Sequence, residues 1–133
     1  MPIFFSDRSF EIVNWGAGHE GLLLRSMRGD QDQPRIEIWF KPAHAVCLSS
    51  TLDGLHLTEP HAPERRSRVE RQLGRKLNDW EHLYEVVTRS APGWVVAGSV
   101  SGRQDDGDYD APAMFDGWEP REGVEEFFRV NVV

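Results

Sequence analysis

The sequence predicts an α+β domain, mainly antiparallel β, with six to seven strands in a curved sheet and one amphipathic helix packed on it. Three observations carry that prediction. Short segments with strand-type alternation follow one another along most of the chain. A single segment, from about 63 to 78, changes to helical period. Nothing alternates strand with helix as a parallel sheet would require. A chain of 133 residues, 39% hydrophobic and 28% charged, suits one globular domain spanning residues 1–133.

The clearest strand is Arg35-Ile36-Glu37-Ile38-Trp39-Phe40-Lys41. Side chains in a strand alternate faces, so Ile36, Ile38 and Phe40 point to a core and Arg35, Glu37, Trp39 and Lys41 away from it. Before it, Phe10 to Trp15 reads as a first strand, preceded by a short one at Ile3 to Phe5, and Gly21 to Arg28 as the next. The polar run Gly29 to Pro34 makes the Gly21 and Arg35 segments a hairpin. Lys41-Pro42 interrupts the pattern, and Ala43 to Ser49 resumes it. Asp53-Gly54, between Leu52 and Leu55, carries the signal of a tight hairpin turn.

The period then changes. Val69, Leu73, Leu77 and Trp80 recur at helical spacing. Pro60 or Pro63 fits the first turn, where a missing N–H costs nothing. Gly74 falls inside the helix and costs about 1 kcal/mol relative to Ala. Arg68, Arg71 and Arg75 share the opposite face, with Glu64 placed to pair with Arg68. Asn78-Asp79 ends the element. His82 to Thr88 and Trp94 to Val100 read as strands joined by a Pro-Gly turn. The second is apolar on both faces, as a central strand would be. Residues 102–123 form a long acidic loop, and Glu126 to Val132 a last strand. The predicted core comprises Leu22, Leu24, Ile36, Ile38, Phe40, Val69, Leu73, Leu77, Val96 and Val130.

Composition narrows the function. The net charge is −7, which repels nucleic acid and anionic membranes. Residues 64–76 hold six basic and two acidic residues, whereas residues 105–126 hold nine acidic and one basic. No signal peptide or membrane-spanning stretch is present in the sequence, and Cys47 is the single cysteine, so a soluble cytoplasmic protein is expected. Thirteen Arg against two Lys is a coding bias of the kind seen in bacterial genomes.

No motif with a recognised chemistry stands out. Asp106, Asp108 and Asp110 have the spacing that opens a calcium loop, but Ala111 stands where the turn needs Gly and Gly117 where a bidentate Glu is needed. The five histidines lack the paired spacing of a zinc site. Cys47, in Ala45-Val46-Cys47-Leu48, reads as a small buried residue. Gly16-Ala17-Gly18 lacks the third glycine and following helix of a dinucleotide site. The Arg68/Arg71/Arg75 stripe reads as a solvated face. No catalytic residue, metal or cofactor is expected.

What remains is a surplus of aromatics beside an acidic loop. Aromatic side chains anchor interfaces and an acidic rim steers a basic partner. The expected function is that of a small non-enzymatic binding protein. It would contact a basic protein partner through Asp105, Asp106, Asp108 and Asp110, with Phe115 and Trp118 as anchors. A homodimer through the last strand is expected as well. The alternative is a small enzyme or ligand-binding fold whose His/carboxylate pocket lies in the curved sheet and draws on His19, His44, His82, Tyr84 and the acidic loop. A pocket joining a His to a carboxylate favours the alternative; a filled sheet with exposed Trp favours the binding protein.

Overall fold

The computed structural model describes residues 1–16, 21–26, 33–108, 111–115 and 119–131. Among them lie seven strands and one helix: β1 (Pro2–Gly16), β2 (Gly21–Ser26), β3 (Arg35–Cys47), β4 (Thr51–Thr58), α1 (Pro63–Leu73), β5 (His82–Val87), β6 (Pro92–Asp105) and β7 (Glu125–Val130). Every strand pairing is antiparallel. The order is β3-β2-β1-β4-β5-β6-β7, and β3 is also bonded to β6. That last pairing joins β1-β2-β3-β6-β5-β4 into a closed ring, so the predicted curved sheet is a barrel.

β6 is the hub. β3 runs along one of its edges from Arg35↔Asp105 to Cys47↔Trp94. The other edge is shared: β5 takes Pro92 to Ala97, and β7 takes Val100 to Gln104. A strand bonded on both edges and covered on both faces must be apolar on both, which is the pattern read in Trp94 to Val100. Its inner side contributes Val95, Ala97 and Val100 to a core with Phe10, Leu22, Leu24, Ile38, Phe40 and Tyr84. Its outer side gives Val96 to a second cluster, with Val69 of α1, Leu77 and Leu83. Eight of the ten predicted core residues are buried, while Leu73 and Val130 are half-buried.

The helix stops sooner than its period suggests. It ends at Leu73 because Gly74 adopts φ 72°, ψ 20°. There its N–H bonds Glu70 O at 2.9 Å, and the Arg75 N–H bonds the same carbonyl at 3.2 Å. Gly74 is therefore the left-handed cap and not a weak interior residue. Pro63 occupies the first turn as expected. The expected Glu64–Arg68 pair is replaced by Arg66–Glu70, 3.7 Å, and by Arg65 reaching Glu85 of β5, 2.7 Å. Beyond the cap, Leu77 still reaches the outer cluster, so the apolar spacing outlasts the helix.

Three local expectations are corrected. Asp53-Gly54 is not a hairpin turn. β4 runs straight through it, and Gly54, at φ 76°, sits where the β1–β4 register shifts between Ser6 and Ser9. An irregularity inside a strand uses the same residue type as a turn, because both need positive φ. Lys41-Pro42 does not end β3, which passes through a cis peptide there and continues to Cys47. Cys47 is exposed, not buried.

Phe40 and Leu73 separate the two clusters experimentally. Phe40→Ala should cost about 3–5 kcal/mol in chemical denaturation, because the inner core cannot close around the hole. Leu73→Ala, at the half-buried margin of the outer cluster, should cost about 1 kcal/mol. Equal losses would mean that the helix side carries as much of the fold as the barrel interior.

Candidate functional site: an arginine-pinned acidic strap

The outward residues of β3 face away from the core, as alternation requires, yet Arg35 and Glu37 are fully buried. Of the described residues between β6 and β7, Ala111 to Phe115 lie across them as a strap. Charges taken from water need close partners, and each of these has several. Arg35 Nε and Nη2 donate to the two Asp105 carboxylate oxygens at 2.9 and 2.7 Å. Arg25 Nε of β2 donates to Glu37 Oε2 at 2.6 Å. Arg103 of β6, also buried, donates to Glu126 Oε1 of β7 at 3.0 Å.

The remaining bonding capacity of this wall is directed at the strap's backbone. Arg35 donates to the carbonyls of Ala111 (3.1 Å) and Pro112 (2.8 Å). Arg121, between the strap and β7, donates to Ala113 O (2.7 Å) and to Pro112 O (3.1 Å). Arg103 Nη1 donates to Met114 O (2.9 Å), and Glu37 Oε1 accepts the Met114 N–H (2.7 Å). Four successive carbonyls thus each receive a guanidinium. The Met114 side chain is fully buried. Phe115 stacks on Trp39, with centroids 5.9 Å apart and planes at 21°, and the Arg103 guanidinium carbon lies 4.4 Å from its ring centre. Trp39 pairs with Leu23 of β2, and its indole lies over Gly21 of the same strand, where a Cβ would run into it.

Electrostatics follow this geometry. Burial alone would raise the Asp105 carboxyl, but the bonds from Arg35 and from the Gly107 N–H, with the charges of Arg35 and Arg121, outweigh it and hold the group below its ordinary value. The Arg35 guanidinium is held above its own, chiefly by its bonds to Asp105.

The strap therefore has two sides. Asp105 faces the wall, whereas Asp106 and Asp108 are exposed, as are Glu119, Glu122 and Glu125. Phe115 is half-buried against the chain's own wall. Asp110 and Trp118 lie outside the described residues. Among those described, no three His, Cys, Asp or Glu side chains gather as metal ligands.

Two histidine–carboxylate pairs lie elsewhere. Glu81, fully buried just before β5, receives both Nη atoms of Arg75 at 2.8 Å, the Asn78 N–H at 2.8 Å and lies 3.3 Å from His44 Nδ1. These bonds, led by those from Arg75, hold its carboxyl at about 2. Arg75 thus leaves the predicted helical stripe and staples the segment after the helix. At the start of β5, His82 Nδ1 lies 2.8 Å from Glu59 Oε2. Asn131 Nδ2 donates to Glu59 Oε1 at 3.0 Å and to the buried Tyr84 hydroxyl at 2.9 Å. Burial pushes the Tyr84 phenol above its ordinary value. His82 and Tyr84 were expected candidates, but their carboxylate is Glu59 and not one from the acidic loop. His19 lies outside the described residues. Two surface clefts, of about 460 and 240 Å³, share His56, and neither is lined by the His44 or the His82 pair.

Searches against protein-family models, curated proteins and solved structures find no match to this chain.

The Glu81 cluster sets a pH dependence. Its folded carboxyl is depressed, so its contribution is complete above the unfolded value near 4.5 and is lost as pH falls towards about 2. A shift of that size corresponds to about 3 kcal/mol. Acid titration of stability should show Glu81→Gln less stable than wild type at pH 6, the gap closing between pH 4.5 and 2. A gap that stays constant across that window would mean the carboxylate charge is not what holds the segment.

Proposed function

We propose that the chain is a non-enzymatic binding protein that holds a basic protein partner on the outward side of the strap. The observation that carries this reading is the division of the acidic segment into two sides. Arg35, Arg103 and Arg121 hold the strap by its backbone, so Asp106, Asp108, Glu119 and Glu122 are presented from a fixed support. Carboxylates held in place lose less side-chain and loop entropy on binding than the same groups on a loose loop. A barrel interior filled by apolar side chains, and exposed Phe5 (72%), Trp15 (50%) and Trp80 (41%), also suit a protein that works by its surface. Phe115 serves here to fasten the strap and not to touch the partner directly.

A second reading rests on the His82–Glu59 pair. A carboxylate at Nδ1 fixes the ring's tautomer and leaves Nε2 to act on something else, which is how a general base is oriented. Tyr84 and Asn131 extend the pair into a network at the ends of β4, β5 and β7.

Kinetics discriminate the two. After capture of a partner from the native host at low salt, Asp106→Asn combined with Asp108→Asn and Glu122→Gln should lower the association rate several-fold and leave dissociation nearly unchanged. Raising the ionic strength should mimic the triple variant, since exposed charges are screened over about 8–10 Å. Association that ignores both sets of changes would remove the strap from the binding surface. Loss of binding or turnover with His82→Gln alone would move the site to the second reading.

A further inference from the structure

We propose, on the reading of the strap as a binding surface, that its basic partner is a second copy of this chain, paired across a two-fold axis so that the helix of each copy lies on the acidic segment of the other. The cations come from α1 and its exit. Residues 64–76 hold six basic side chains. Three are used within the chain: Arg65 on Glu85, Arg66 on Glu70 and Arg75 on Glu81. Arg68, Arg71 and Lys76 are exposed, and among the described residues none of them has an ion-pair partner. Val69 turns inward to the outer cluster, so Arg68 and Arg71 lie on the side of the helix that faces away from the barrel. The opposite charges are Asp106, Asp108, Glu119 and Glu122, all exposed beside the strap.

The layout along the β3–β6 ladder makes this surface self-complementary. The helix covers the outer side of the ladder at Ala45 and Val96, while the strap covers the same side at Glu37 and Arg103. Glu37 and Ala45 are eight positions apart on β3, about 26 Å at the rise of a strand. Between them lies Trp80, 41% exposed. It sits over Gly98 of β6, beside Pro42 of β3, and packs edge-on against His44. The order along the ladder is therefore cations, exposed indole, carboxylates. A two-fold axis at the indole lays the cations of each copy on the carboxylates of the other, which is what an isologous interface requires. Trp80 then meets its own symmetry mate at the centre, where an aromatic anchor contributes most, and the charges lie at the rim, where they select the partner and fix its register. Patches this far apart fit within the roughly 800 Å² per copy that a standard interface covers.

Light scattering and sedimentation of the full-length chain test the pairing. Wild type should pass from one copy to two as its concentration rises through the micromolar range, and stop at two. A helix-reversed variant (Arg68→Glu with Arg71→Glu) and a strap-reversed variant (Asp106→Lys with Asp108→Lys and Glu122→Lys) should each dimerise at least about tenfold more weakly. An equimolar mixture of the two should recover the wild-type constant, because each copy then offers the charge that the other lacks. Trp80→Ser should weaken the dimer of wild type and of the mixture alike. Circular dichroism verifies folding; the single changes Arg71→Glu and Asp108→Lys carry the comparison if a multiple variant fails to fold. A wild type that stays monomeric, masses that grow beyond two copies, a dimer that neither reversal weakens, or a mixture of folded variants that does not recover would overturn the proposal. A monomer whose captured partner still responds to the strap carboxylates would refute the second copy and keep the strap as the binding surface, whereas a captured partner indifferent to them would remove the strap itself.

Discussion

Three arginine–carboxylate pairs on one wall of the barrel, built around the buried Arg35, Glu37 and Arg103, are the constraint on which the rest of the surface depends. Arg35–Asp105, Arg25–Glu37 and Arg103–Glu126 sit on β3, β6, β2 and β7. The Arg35 and Arg103 guanidiniums each carry more donors than one carboxylate can accept, and both side chains are buried. The unused donors must find oxygens, and the nearest source is the backbone of the chain between β6 and β7. That requirement brings the strap onto the wall, buries Met114 and stacks Phe115 on Trp39. It also determines which carboxylates of the segment face solvent. The net negative charge of residues 105–126 is therefore not one property. Asp105 and Glu126 are structural, whereas Asp106, Asp108, Glu119 and Glu122 are presented outward.

The barrel supports this arrangement through β6. Its C-terminal half lies between β3 and β7, which places Arg103 and Asp105 beside Arg35 and Glu37 on one surface. Closure by the β3–β6 pairing fixes that surface in register. A rigid wall is what allows the carbonyls of Ala111, Pro112 and Met114 to be met by its side chains rather than by a neighbouring strand. The helix plays a separate part. It covers Val96 and Leu83 on the outside of the barrel, and its exit is secured by the buried Glu81 with Arg75.

Much of the fold is legible in the sequence, for identifiable reasons. The alternation in Arg35 to Lys41 gave the facing of each side chain correctly, and the two-sided apolar run of Trp94 to Val100 marked the hub. Period was less informative where it met a special residue. Gly74 matched a helix interior and a helix cap equally well, and only the left-handed backbone at that position decides between them. Asp53-Gly54 likewise suited a turn or a register shift within a strand. The candidate site was legible only in part. Alternation placed Arg35 and Glu37 outside the core and so, by default, in water. It carries no information about a second layer that covers the outside. Spacing in sequence also cannot join Glu59 to His82, 23 residues away, or Glu37 to Met114, 77 away, because both contacts come from tertiary closure. A pair of adjacent strands rich in outward Arg and Glu, followed by a long loop with its own apolar residues, is the signal that points to such a cover.

Hydrogen exchange at the Met114 amide tests the central claim most directly. This N–H is bonded to the buried Glu37 carboxylate and belongs to no strand, so its protection reports the strap's attachment to the wall and nothing else. A strap held by the arginine wall, outside the barrel's ladders, predicts slowing of about a hundredfold or more relative to an unstructured chain, with exchange still faster than at the Ile38 and Val95 amides of the core. Exchange at the unstructured rate would contradict the account. It would show a loop that only rests near the wall and leaves the buried guanidiniums without the backbone partners on which the whole arrangement is argued to depend.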